Sequence, residues 1–353
     1  MKNTLSRRQL GRAALATGTL LAAAHLPLPA RAVAPGATAL SLRFPGTTLT
    51  PDAPPATLRF HSHEGTISRL VYPSTHCRDG EFPLCSELIT LPENTTQIEA
   101  SPEVGTHFHR LIPSNLALPD APEATVTEGL RVVSRRQWGA DETLMTWTPE
   151  YAAPVCITVH HTEIPTGREP EYQHNWPAAV RGVYRFHALT ENGGRGWGDI
   201  GYHLLIDPEG TVYQGRTTGA PGRAVFSGTP APDSPAPHSP VGGVVTAGHV
   251  FKANTGNIGV CLIGNFTRDH PTTAAYRSLI TVLSALCQAC SFHPLNQVRY
   301  VNPSAGVDAT QPIISGHKDW QEVTGIPKDC PGRNLWYQLP EIRQHIADTL
   351  RTA

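Results

Sequence analysis

The pattern of apolar and polar positions changes character along the chain. Near the start, an Ala/Leu-rich run from Ala13 to Ala24 follows the polar Ser6-Arg7-Arg8-Gln9-Leu10. A membrane span needs about 20 predominantly apolar residues, and this run is shorter. With Ala30-Arg31-Ala32 behind it as a small-x-small cleavage site, residues 1–32 read as a twin-arginine export signal. The mature chain is then expected to begin near Val33 and to work in the periplasm or outside the cell. No later stretch is long and apolar enough for a transmembrane anchor.

From Val33 to about Thr125 the apolar positions come in short β-type runs, such as Thr57–Phe60 and Thr66–Tyr72, set among Pro, Thr and Ser. This predicts a small β-rich accessory domain over 33–125. Its last part, Leu116–Ala124, reads as a linker, because Pro and small polar residues cannot fill a core. His61, His63, His76, His107 and His109 are scattered through the region, and HxH pairs on strands are ordinarily solvent-facing.

Over 126–353 strand-like and helical periods alternate. Pro154 to His161 reads as a strand. Trp176–Leu189 reads as a helix, with Pro177 in the first turn and Ala179, Val180, Val183, Phe186 and Leu189 recurring at three and four. Tyr202–Asp207 and Thr211–Gln214 flank a hairpin turn at Pro208-Glu209-Gly210. Gly256–Phe266 is a buried strand, Thr272–Cys290 a helix with a Leu279, Ile280, Leu283, Leu286 stripe, Pro312–His317 a strand, and Pro340–Leu350 an amphipathic helix. Ser134–Asp141 has the form of a helix entry, with Trp138 as a buried anchor. Val225–Thr246, rich in Pro, Gly and Ser, reads as a long surface loop. Strands alternating with helices around one core predict an α/β domain.

Composition narrows the partners. A formal charge of −1 and no basic block argue against nucleic acid. The 33 Pro and 31 Gly point to long loops on a compact scaffold, where sites tend to sit. Seven Cys in an exported chain predict disulfides plus one thiol used otherwise. Cys77 and Cys85 are the first pair by proximity. The pairing of Cys156, Cys261, Cys287 and Cys290 stays open, and Cys287 and Cys290, one helical turn apart, fit two buried thiols equally well. The chain is expected to act as a monomer.

The candidate chemistry lies at strand ends. In Ile157-Thr158-Val159-His160-His161 successive side chains point to opposite faces, so only one histidine serves a given site. His161 shares the apolar face of Ile157 and Val159; His160 shares the face of Thr158 and is the candidate ligand. Ile313–Gly316 ends in a second histidine, His317. Thirteen residues on comes Cys330, which precedes Pro331 and is therefore extended, so that Lys328 projects to its side. Two histidines and a thiolate, with a fourth position open, suit catalytic zinc, Zn2+. A cation would also keep Cys330 as thiolate.

Several segments in one order, SRRQWGAD, ITVHHT, RGVYRFHA, GWGDIGYHLLIDPEGTVYQGR, TAGHVFKANTGNIGVCLIGNF and SGHKDW…KDCPG, resemble the zinc-dependent N-acetylmuramoyl-L-alanine amidases of the peptidoglycan recognition protein and phage amidase superfamily. The resemblance covers about Leu130 to Trp336. It implies a central mixed β-sheet flanked by helices under a zinc-containing groove, and peptidoglycan or muropeptides as substrate. It also implies zinc ligands at His160, His317 and Cys330, a catalytic tyrosine at Tyr202, and a catalytic lysine at Lys328. His249 matches a histidine that lines the substrate groove, or is structural. Trp197, at the hairpin entry, stacks on a sugar ring or packs under the turn. His203, opposite Tyr202, is expected to be structural. Arg195 and Arg216 are expected to be solvated. Members of this fold also recognise muropeptides without cutting them, usually after losing the thiolate ligand, which this chain keeps.

Overall fold

A computed structural model describes residues 30–37, 39–44, 55–71, 85–86, 89–92, 94–109, 120–163, 175–190, 194–228 and 242–352. The export signal before residue 30, Cys77 of the expected Cys77–Cys85 pair, His76, most of the linker and the middle of the Val225–Thr246 stretch lie outside them.

The N-terminal part is β-rich, as its pattern predicts. Its strands are β1 (Ala30–Ala32), β2 (Ala39–Arg43), β3 (Ala56–Ser62), β4 (Gly65–Val71), β5 (Ile89–Thr90), β6 (Gln97–Ala100) and β7 (Gly105–His109). They form two sheets, in orders β1-β6-β3-β4 and β5-β2-β7. Alternate residues of the strands, including Leu40, Leu42, Leu58, Phe60, Ile89 and Ile98, close a core of their own. Ala39 joins the core of the second unit.

The second unit begins earlier than the linker reading places it. Ala124 opens β8 (Ala124–Thr127), which pairs with β9 (Leu130–Val132), and its side chain is fully buried in the larger core. Further on come β10 (Tyr151–Ala152), β11 (Cys156–His161), α1 (Trp176–Ala188), β12 (Leu204–Ile206), β13 (Val212–Gln214), β14 (Val244–Val245), β15 (Asn257–Leu262), α2 (Thr273–Cys290), β16 (Gln297–Asn302), β17 (Val307–Pro312), β18 (Ile314–Gly316), α3 (Gln321–Thr324), α4 (Arg333–Trp336) and α5 (Leu339–Thr352). The central sheet runs β13-β12-β15-β11-β18. Only β13 is antiparallel to its neighbour; the other pairings are parallel, so the sheet is mixed.

The helices begin where local chemistry lets them. Asn175 accepts from Ala178 N ahead of α1, whose second residue, Pro177, needs no N–H partner. Thr272, one residue before the Thr-x-x-Tyr start, caps α2 by accepting from Ala275 N, although Ala275 stands where a capping box has Glu or Gln. Ser134–Asp141 forms a turn and no helix; its Trp138 is fully buried, as expected, and donates to Gln214 O at 2.8 Å.

The two faces of the sheet have different cores. Ile157, Val159, Ile258, Val260, Leu262 and Ile314 pack with α2 and α5 residues such as Leu283, Leu286, Ile342 and Ile346. On the other face Leu205 and Cys261 pack with Tyr202 and with α1 through Val180, Val183 and Tyr184.

Three readings need correction. The ends of Val225–Thr246 are not surface loop: Val225, Phe226, Val244 and Val245 are fully buried, and β14 pairs with β10. Their apolar residues sit two by two between Pro- and Gly-rich stretches, which hides them from a periodicity count. Arg216 is fully buried, with its guanidinium 4.9 Å from the Trp147 ring centre. No disulfide occurs among the described residues: Cys156, Cys261, Cys287 and Cys290 are buried thiols. Burial pushes the Cys287 thiol up to about 12, which keeps it protonated and inert.

Candidate active site at the carboxyl ends of the parallel strands

Register builds the site. Thr158 of β11 lies beside Ser315 of β18, on the face away from α2. Two residues beyond this pair, His160 near the end of β11 and His317, the first residue of the 3-10 turn that follows β18, are therefore brought side by side. Their ring centres are 4.8 Å apart and both side chains are fully buried. The polar residues beneath them satisfy one another: Thr158 Oγ1 donates to Asn257 Oδ1 at 2.9 Å, and Trp320 Nε1 reaches both Thr158 Oγ1 and Ser315 Oγ at 3.0 Å. Cys330 arrives from the segment before α4, its Sγ 3.6 Å from His160 Nδ1. The backbone N–H of His161 points at the same sulfur, 3.4 Å away. One donor atom from each of His160, His317 and Cys330 lies within 4.8 Å of the others.

A hydrogen-bond chain decides which nitrogen of His160 is available. His249 Nε2 is 2.9 Å from Asn257 O, and a carbonyl only accepts, so Nε2 carries the proton. His249 Nδ1 is then the acceptor for His160 Nε2–H at 3.0 Å. His160 Nδ1 is left deprotonated and faces Cys330. A ligating histidine that donates its other N–H to a fixed acceptor is the usual arrangement around a metal. For Zn–N and Zn–S bonds of about 2.0 and 2.3 Å in tetrahedral array, N and S sit about 3.5 Å apart, which the observed 3.6 Å matches. The residues fit zinc.

His249 thus stands behind the ligand rather than on the groove wall. It is fully buried, and its loop is held by Asn254 Oδ1, which accepts from His249 N and Val250 N at 2.7 and 2.8 Å. Its ring lies against Gly259, where an added Cβ would come within 2.7 Å of it. Of its two readings the contacts give the structural one, since Asn257 O of β15 and His160 hold the ring inward. Of the two readings of Trp197, packing under the turn is the one observed. It is 3 % exposed, packed against Phe251 and His187, with the Arg195 guanidinium 5.0 Å from its ring centre, so it presents no face to a sugar.

Tyr202 sits at the mouth of β12, its ring centre 5.3 Å from that of His160. The turn delivering it, which Gly198, Asp199 and Gly201 are expected to make, is fixed by a pair of buried residues, Arg135 and Asp199, whose contact the sequence does not reveal. Arg135 binds Glu142 through two 2.8 Å bonds and also donates to Asp199 Oδ1 at 2.8 Å and Gly215 O at 2.7 Å. Asp199 in turn accepts from Ile200 N and Thr217 N. Nothing in SRRQ or GDIGYH marks these as partners, since they lie 64 residues apart. Lys328 is 9 % exposed and lines a pocket together with Cys330, Lys318 and Glu163. His203 is structural as expected: Nε2 donates to Val245 O at 2.6 Å and Nδ1 accepts from Gly259 N at 2.9 Å, and burial holds its pKa down at about 4. His161 accepts from Phe266 N on the opposite face, away from the ligand cluster.

The N-acetylmuramoyl-L-alanine amidase family matches residues 150–333, just over half of the chain. The chain belongs to this family. Similar proteins include the N-acetylmuramoyl-L-alanine amidase of Homo sapiens, 26 % identical over 51 % of this chain and 26 % of that protein. Another is the peptidoglycan-recognition protein SC2 of Drosophila melanogaster, 23 % identical over 60 % of this chain and 85 % of that protein. Among solved structures, Drosophila PGRP-LB is 20 % identical, with coverage of 59 % and 92 % and a TM-score of 0.39. The chain spans about a quarter of the length of the mammalian amidases it matches. All three candidate ligands, Tyr202 and Lys328 fall inside the matched residues of the amidase domain.

Proposed function

We propose that the amidase domain is a zinc hydrolase cutting the amide between N-acetylmuramic acid and L-alanine in peptidoglycan, in a protein exported by the twin-arginine route. The observation that carries this reading is the convergence of His160, His317 and Cys330, with His160 Nδ1 left unprotonated by the His249 relay.

An amide is a poor electrophile, so its hydrolysis needs an activated water and a stabilised oxyanion. Bound zinc supplies a Lewis acid and lowers the pKa of water towards about 7. His160, His317 and Cys330 would hold it. The Tyr202 hydroxyl donates a hydrogen bond where negative charge develops, and the Lys328 ammonium stabilises the same oxyanion. Burial of the floor excludes bulk water, which strengthens both interactions. His249 keeps its partner in one tautomer. The export signal supports action on a cell wall in the periplasm or beyond. Cleavage after Ala32 would remove β1 and leave β6 as the sheet edge.

The test pairs metal analysis with amine release from purified sacculi. The wild-type chain is expected to bind zinc and to release free amino termini. Cys330→Ser is expected to lose both while circular dichroism shows a folded protein. Zinc without amine release would point to recognition alone. Amine release by a zinc-free, folded Cys330→Ser would overturn the assignment.

A further inference from the structure

The pocket beside Cys330 is built by two domains. Glu163, Lys318 and Lys328 line it from the amidase side, and Arg69 and Leu70 of β4 line it from the N-terminal side, around a cavity of about 170 Å³. β4 is the outer strand of its sheet. Arg69 Nη2 donates to Glu163 Oε1 at 2.7 Å across the domain boundary. The Arg69 side chain is 38 % exposed while that of Glu163 is 9 % exposed. Glu163 lies three residues beyond His160 and adopts φ 58°, a left-handed conformation uncommon outside glycine. Backbone strain of this kind persists where surrounding contacts over-determine it.

The pocket has a chemical bias. Arg69, Lys318 and Lys328 face two carboxylates, Glu163 and Asp329, so positive charge is in excess. Leu70, which also lines the pocket, is 57 % exposed, a large apolar side chain left open to a ligand. An anionic ligand with small apolar groups matches both features.

We propose that the N-terminal β domain is one wall of the substrate groove, and that Arg69 is a specificity-determining residue that binds a carboxylate of the peptide attached to the scissile amide. A planar guanidinium pairs with a carboxylate through its fork of N–H donors. Leu70 covers the small side chains next to that carboxylate. This rests on the amidase reading above and adds to it a role for the N-terminal domain.

The test uses the full chain and two synthetic muropeptides, identical except that the carboxylates beyond the L-alanine are free in one and amidated in the other. The wild type is expected to show a KM about tenfold lower for the free acid, equivalent to one charge-assisted contact. Arg69→Ala should collapse that ratio towards one through KM, with kcat on the free acid within about threefold and zinc content retained. Arg69→Lys should restore part of the ratio. Glu163→Gln removes the ion pair but keeps the guanidinium, and is expected to preserve the ratio. If Glu163→Gln reproduces Arg69→Ala, or if Arg69→Ala lowers kcat on both substrates with loss of zinc, Arg69 is a positioning residue and the proposal fails. Equal KM values for the two substrates in the wild type would also overturn it while leaving the amidase reading intact. Failure of the wild type to cleave either substrate would count against both.

Discussion

His160 and Glu163 are three residues apart, yet they are held in opposite ways. His160 is on a central strand, buried on every side, with one ring nitrogen fixed by His249 and the other facing Cys330. Glu163 lies past the strand end in a left-handed conformation, tied by one ion pair to a partly exposed arginine of another domain. The first arrangement is a floor that cannot relax: Thr158, Asn257, Trp320, His249 and His160 bond one another, and removing one leaves another unsatisfied at a cost of about 1–3 kcal/mol. The second is a wall of partly solvated charge, where a pair contributes at most about 1 kcal/mol. On the proposed reading, chemistry belongs to the part that cannot move, and discrimination between substrates to the part that tolerates substitution.

The comparison breaks if floor residues prove dispensable. Tyr202→Phe keeps the ring that packs near His160 and deletes only the hydroxyl. It is expected to retain zinc and to lower kcat on muropeptides about 100- to 1,000-fold; steady-state kinetics with metal analysis decides this. A near-wild-type rate would remove Tyr202 from the chemistry.

Acid should loosen the same floor. The folded pKa of His203 is lowered to about 4 from 6.5, first by burial and further by the Arg216 charge, with the bond to Val245 O opposing. The unfolded chain therefore takes up the proton first. Stability contributed by neutral His203 is complete above about pH 6.5 and falls as pH drops towards 4, by roughly 3 kcal/mol. Denaturant titrations at pH 7 and pH 5 measure the slope, which His203→Gln should flatten.

A smaller effect sharpens the account of the relay. His249→Ala leaves the three ligands in place but frees the tautomer of His160. Zinc affinity is expected to fall about 10- to 100-fold, measured by competition with a chelator. An unchanged affinity would mean that the 3.0 Å contact does not set the ligand's protonation.

Much of the floor was legible in the chain. Strand alternation alone separates His160 from His161, and the structure puts them on opposite faces for that reason. The three expected helices follow their 3.6-residue stripes to within two residues at each end, while the one-turn α3 and α4 carry no stripe and escape. What escaped is long-range. The Arg135–Asp199 pair and the Arg69–Glu163 bridge join segments 64 and 94 residues apart, and no local period encodes them. His249 and Trp197 kept two readings each because their motifs fix position along the chain but not the direction in which a loop side chain turns. Exposure of an arginine is equally invisible: Arg216 sits in a turn-like sequence and is buried all the same.

The most direct measurement of the central claim is mass spectrometry of the soluble and insoluble products after the zinc-loaded chain acts on purified sacculi. The account predicts intact stem peptides beginning with a free L-alanine amino group, and glycan strands whose N-acetylmuramic acid ends in a free lactyl carboxylate. Sacculi that bind the zinc-loaded protein and remain uncut, or products broken at a glycosidic or peptide bond instead, would contradict it.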